Sequence, residues 1–179
     1  MPVPQPSDQD RFDALWRAHH DAVLAYGLRR RPDLARDMVA ETFLVAWRRL
    51  EEVPAEPRTW LLAVARRVLA NQFRGEGRRR ALLGRLGALR VEVAPDPGEL
   101  AGEPGLRRAF ASLAPTDREL IALSLWEELD AAGIAQVLGC SPGAATTRLY
   151  RARQRLQSAL ESDGAPDPIT IAPTGRKAP

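Results

Sequence analysis

Apolar residues recur along this chain at spacings of three and four, the period of a helix that buries one face. Phe12, Leu15, Trp16, His19 and Val23 mark a first helix over about 10–30, with His19 packed and its neighbour His20 turned outward. Pro32 and Asp33 interrupt it. A second helix over about 34–51 turns Val39, Phe43, Ala46, Trp47 and Leu50 inward. Pro54 and Pro57 close the next connection, and a third helix runs from Arg58 to Arg74 or beyond on Leu61, Val64, Ala65, Val68 and Leu69. Further on, Leu106–Leu113 has helical character. Thr116-x-x-Glu119 has the spacing of a capping box, which would open a helix reaching about Trp126. No stretch alternates as a strand does, so the pattern predicts an all-α protein.

The stretch DAAGIAQVLGCSPGAATTRLYRARQRL, 130–156, predicts two helices around a tight turn. Asp130 is placed to cap the first, Gly139 to end it in a left-handed conformation, and Ser141 to cap the second, with Pro142 at its first position. Ile134, Ala135 and Leu138 face inward from the first helix, and Ala145, Leu149 and Leu156 from the second. Thr146, Thr147, Arg148, Arg151, Arg153 and Arg155 are left for the other faces. Between Asp130 and Glu161 there are four arginines and no acid. A short helix, a glycine turn and a basic second helix have the form of a helix-turn-helix that lays its second helix in the major groove.

Charge refines this picture. The net charge is only +3, yet 25 of the 26 basic residues are arginine, the side chain best shaped for phosphates and base edges. From Arg66 to Arg90 there are eight arginines and one acid, a second basic patch. Residues 91–105, VEVAPDPGELAGEPG, hold four acids, three prolines and no base, the composition of an extended linker. The expected organisation is a disordered lead over 1–9 and a helical domain over 10–90. The linker over 91–105, a helix-turn-helix domain over 106–161 and a disordered tail over 162–179 follow. The fold expected is therefore two small helical domains joined by a flexible acidic linker, the second a helix-turn-helix. The one cysteine, Cys140, and the two adjacent histidines make no metal site. No cofactor, metal, membrane insertion or small-molecule substrate is expected, and the N-terminus lacks the pattern of a signal peptide, so the expected compartment is the cytoplasm.

Taken in order, DMVAETFLVAWRRL (37–50), PRTWLLAVARRVLANQFR (57–74) and APTDRELIALSLWEELDAAGIAQVLGCSPGAATTRLYRARQRL (114–156) resemble a bacterial RNA polymerase sigma factor of the extracytoplasmic-function type. The resemblance implies that the first domain corresponds to region two and the second to region four. It implies core RNA polymerase and promoter DNA as partners, with an anti-sigma factor as an optional third. Asp37, Glu41, Leu44 and Arg48 would then dock on polymerase. Trp60, Arg66, Arg67, Asn71, Arg74, Arg78, Arg79 and Arg80 would meet the minus-ten element and help open it. Ser141, Gly143, Thr146, Thr147, Arg148, Arg151, Arg153 and Arg155 would meet the minus-thirty-five element. Among the arginines, Arg153 and Arg155 are assigned to backbone phosphate or solvent.

The chain departs from the family pattern at three places. Arg67 stands where the family commonly has Asn, Gly133 where it often has Glu, and Ala145 where it has a β-branched residue. The alternative is a stand-alone helix-turn-helix transcriptional regulator, which reads two half-sites as a dimer. A helical adaptor without DNA binding fits the two arginine patches poorly. An enzyme would need a phosphate loop, nucleophile motif or metal cluster that the sequence does not carry.

Overall fold

The computed structural model describes residues 7–82, 94–95 and 104–163, with side chains described as far as Arg74 in the first stretch and Ser162 in the last. The described residues form helices and no strand. The helices are α1 (Asp8–Arg30), α2 (Ala35–Arg48), a 3-10 turn (Leu50–Glu52), α3 (Pro57–Leu82), α4 (Pro104–Ser112), α5 (Pro115–Leu125), α6 (Ala131–Leu138) and α7 (Pro142–Asp163). Most of the expected linker and of the expected tail lies outside the described residues.

Helix α1 begins inside the expected lead. Ser7 caps it: the Ser7 hydroxyl accepts from the Asp10 amide at 3.1 Å, and the Asp10 carboxylate accepts from the Ser7 amide at 3.1 Å. The Ser7 hydroxyl, which also donates to the Asp10 carboxylate at 2.6 Å, and then the Ser7 amide hold the Asp10 carboxyl below its ordinary range. At the other end Gly27 permits a close approach of α2. A Cβ there would fall 2.5 Å from Met38 Cε and 3.2 Å from Ala35. Helices α1, α2 and α3 pack mutually, with Tyr26, Met38, Phe43, Leu61 and Leu69 at the centre. Trp16 and Trp47 were expected inside but are 37% and 42% exposed. Each packs at the core edge: the Trp16 ring centre lies 4.6 Å from that of Phe43, and the Trp47 ring meets Phe12 edge-on with centres 5.2 Å apart. His20 is only half-exposed, because its ring lies 4.7 Å from Trp16 and its Nδ1 2.8 Å from an Asp21 oxygen.

The second group is built on α7, against which α4, α5 and α6 all pack. The expected capping box at Thr116 and Glu119 does not form. Helix α5 starts at Pro115 with Ala114 as its cap residue and no side-chain cap bond. Glu119 is instead buried and turned toward α1. The turn after α5 places Glu128 at φ 53, unusual for a residue with a Cβ, and leaves Glu127 buried beside Glu119.

The two groups of helices form one body. Helix α6 packs along α3. In α3, Leu61, Leu62, Ala63, Val64 and Ala65 are all buried, which is more than one face of a helix. Helices α1 and α2 cover one side and α6 another. Leu62 and Ala63 therefore join the core although the one-sided stripe read from sequence leaves them out.

Candidate polymerase and DNA interfaces

The turn that presents α7 forms as its residues dictate. Asp130 Oδ1 accepts from the Gly133 amide at 2.8 Å. Gly139 takes φ 69, and the Cys140 amide returns to the Ala135 carbonyl at 3.0 Å. Ser141 Oγ then accepts from the Ala144 amide at 3.2 Å, with Pro142 opening α7. Ala145, Leu149 and Ala152 are buried against α4, α5 and α6. The face left over is exposed and holds Ser141, Gly143, Thr146, Thr147, Arg148 and Arg151. Thr146 Oγ1 donates back to the Pro142 carbonyl at 3.0 Å. Tyr150, which the sequence reading left out, stands on the same helix at 62% exposure, its hydroxyl accepting from Gln154 at 2.8 Å. An aromatic residue between two outward arginines is the signal that could have marked it.

Arg153 and Arg155 differ from the other two arginines of α7. Arg153 donates to Ser124 Oγ at 2.8 Å, and Arg155 donates to both Asp117 oxygens at 3.0 and 2.8 Å. Both are tied to α5.

On α2, Asp37, Glu41, Leu44 and Arg48 are all exposed on one face, opposite buried Met38, Val39, Thr42, Phe43 and Ala46. Glu41 accepts a bond from Gln72 of α3 at 3.3 Å, so the acidic face leans on the neighbouring helix. Leu44, at 45% exposure, supplies an apolar spot among the charges.

On α3, Arg67, Asn71 and Arg74 are exposed at spacings of four and three, hence on one face, and Arg74 donates to Asn71 Oδ1. Trp60 is half-buried and packs against the core. Arg66 is half-buried too, and its Nε has no hydrogen-bond partner among the described residues. Arg78, Arg79 and Arg80 continue the helix, but their side chains lie outside the described residues. Thus the structure exposes Arg67, Asn71 and Arg74 on one face and leaves Trp60 and Arg66 half-buried.

Among the described residues there is no cluster of His, Cys, Asp and Glu able to hold a metal, and no helix is long and apolar enough to cross a membrane.

Residues 15–79 match the family model of Sigma-70 region 2, and residues 105–156 that of Sigma-70, region 4. The RNA polymerase sigma factor CarQ of Myxococcus xanthus is 31% identical over 163 residues, covering 85% of this chain and 90% of that one. The chain belongs to the extracytoplasmic-function RNA polymerase sigma factors. The sigma factor SigL of Mycobacterium tuberculosis is 30% identical over 159 residues, 84% of this chain and 89% of its own. A longer relative, the probable sigma factor RfaY of Xanthomonas campestris, is 31% identical over 164 residues, which span 41% of its length. Among solved structures, the sigma factor RpoE of Bartonella quintana, in complex with the anti-sigma factor NepR, shares the fold. Its TM-score is 0.62 at 23% identity, over 85% of this chain and 98% of that one. As a sigma factor the chain serves promoter-specific initiation by RNA polymerase.

Proposed function

We propose that this sigma factor binds core RNA polymerase through α2, reads the minus-ten element with α3 and the minus-thirty-five element with α7, and assists DNA opening. The observation that supports it best is the outward face of α7. Thr147, Arg148 and Arg151 are exposed, and the two arginines make no ion pair among the described residues, at the capped, N-terminal half of a helix whose other side is packed. Guanidinium forks there match guanine O6 and N7 in the major groove. The exposed Ser141 and the N–H groups of the first turn suit a phosphate.

On α2, Asp37 and Glu41 suit a basic partner surface, with Leu44 as its apolar centre. On α3, Arg67 and Arg74 supply a track for a strand backbone. The half-buried Trp60 offers an unstacked base less than sequence alone suggests. An anti-sigma factor remains an optional partner, since the related RpoE was solved with one.

The test is transcription from genomic fragments with core polymerase and the purified chain. Specific start sites that depend on the chain, together with co-purification of core polymerase, are the expected result. A chain that binds DNA as a dimer and leaves polymerase behind would be a stand-alone helix-turn-helix regulator instead.

A further inference from the structure

On α3, Leu61, Ala65 and Val68 recur at spacings of four and three, and all are buried. Gln72 is the next position of that stripe, four residues on, and it is half-buried. An apolar side chain there would complete the pattern. The glutamine instead reaches across to α2 with its amide: Nε2 donates to Glu41 Oε2 at 3.3 Å. Its Oε1 is buried and has no hydrogen-bond partner among the described residues. The turn that carries Gln72 is itself anchored. The Arg31 guanidinium, from the α1–α2 connection, lies over the neighbouring Phe73 ring, 4.0 Å from its centre.

Stability does not explain a glutamine at this position. A buried amide oxygen without a donor carries the full desolvation penalty of that group, and one long bond to an exposed carboxylate returns little. Methionine has the same length, would fill the same space and would bury no orphaned acceptor of comparable strength. What the amide does supply is a fixed point for one carboxylate. Asp37 and Glu41 both stand exposed on the outer face of α2. Asp37 is short and stays close to its helix. Glu41 has one more rotatable bond, and so more freedom to lose when a partner is bound.

We infer that Gln72 is a positioning residue for the polymerase interface: from α3 it holds the Glu41 carboxylate in the orientation in which α2 presents it to a basic partner surface. Gln72 does not touch the partner itself, since its oxygen is enclosed and its nitrogen is committed to Glu41. Ordering a flexible side chain in advance removes part of what docking would otherwise lose in rotamer freedom. The inference rests on the reading of α2 given above. It gives α3 a part in docking that is separate from the exposed Asn71 and Arg74 on its outer face.

The experiment uses the full chain and the Gln72→Met variant, which keeps the length of the side chain and removes the amide. The variant is expected to melt no lower than the parent. It should bind core polymerase about threefold more weakly, measured by competition against the parent chain. That loss should depend on Glu41. Glu41→Ala weakens binding by itself, and adding Gln72→Met to it should cost nothing further, so that the double-mutant cycle assigns the whole effect to the pair. Unchanged binding in Gln72→Met overturns the inference. A further loss in the Glu41→Ala background also overturns it, because Gln72 would then act on its own. So does a loss that comes with a lowered melt, which would make the residue structural. Failure of the reading of α2 looks different, since Glu41→Ala would then bind polymerase as the parent does. A weakened Glu41→Ala beside an unchanged Gln72→Met sinks the inference alone.

Discussion

Arg155 of α7 donates from one nitrogen to both carboxylate oxygens of Asp117 in α5, at 3.0 and 2.8 Å. Asp117 is 9% exposed and Arg155 59%. The pair thus fastens the far end of α7 to the helix behind it. Arg155→Ala leaves a nearly buried carboxylate without its partner. The expected loss is about 1 kcal/mol, held low by the exposure of the arginine. Urea melts of the parent and variant check this. Base preference should not change, because the guanidinium that would read a base is turned away to Asp117.

Stability should also depend on pH through His19. Burial, with the nearby Arg58 charge adding to it, holds this imidazole below its ordinary value of 6.5, and Glu56 opposes weakly. The folded state therefore favours neutral His19, while the unfolded chain takes up the proton first. Stability rises with pH in that window. The contribution is present above about pH 6.5, falls as the pH drops through 6.5 toward the lower folded value, and is flat below it. Denaturant melts at pH 7.5, 6.5 and 5.5 should show the parent losing stability against His19→Gln as the pH falls. Equal losses in both proteins would remove His19 as the cause.

The acidic face of α2 should act on a partner and not on the fold. Asp37 and Glu41 are exposed, and the bond from Gln72 to Glu41 is long. Reversing both charges is expected to leave the melt within about 1 kcal/mol of the parent, as for other surface changes. Binding to core polymerase should weaken severalfold, measured by competition against the parent chain. A collapsed melt would mean that the face is structural and that the docking surface lies elsewhere.

The helix-turn-helix was legible because its determinants are local. Asp130, Gly139, Ser141 and Pro142 each act on backbone groups within a few residues, so spacing alone fixes their roles. Glu119 was misread for the opposite reason. Three residues after Thr116 it has the spacing of a cap, but Arg30 and Tyr26, 89 and 93 residues away, compete for its carboxylate and win. Spacing says nothing about such distant charges. Leu62 and Ala63 fall outside a one-faced stripe because the second face of α3 is covered by α6, a contact no local period encodes. Trp16 and Trp47 show the reverse, since periodicity places a residue on a face without saying how far a large ring extends beyond its edge. Among the candidate DNA contacts, exposure of Arg148 and Arg151 followed from the stripe, whereas the ties of Arg153 and Arg155 to α5 did not.

That difference among the arginines of α7 sets the sharpest prediction. Arg148 and Arg151 are exposed, three residues apart and within the first three turns of the helix. A helix entering the major groove by its N-terminal half would present both to base edges. Arg148→Ala or Arg151→Ala should then cost about 1–3 kcal/mol on the matched upstream element, and most of that loss should vanish on duplexes with the contacted base changed. A phosphate contact would behave otherwise, weakening all duplexes alike and lowering the salt slope by about one. Arg153→Ala, which gives up a bond to Ser124 and not a free guanidinium, should fall in neither class and change binding little. The measurement is binding of the full chain with core polymerase to matched and substituted upstream elements over a salt series. If Arg153→Ala alters base preference while Arg148→Ala and Arg151→Ala do not, the helix meets DNA by a different face. If the two exposed arginines change only the salt slope, α7 holds the backbone and another element reads the bases.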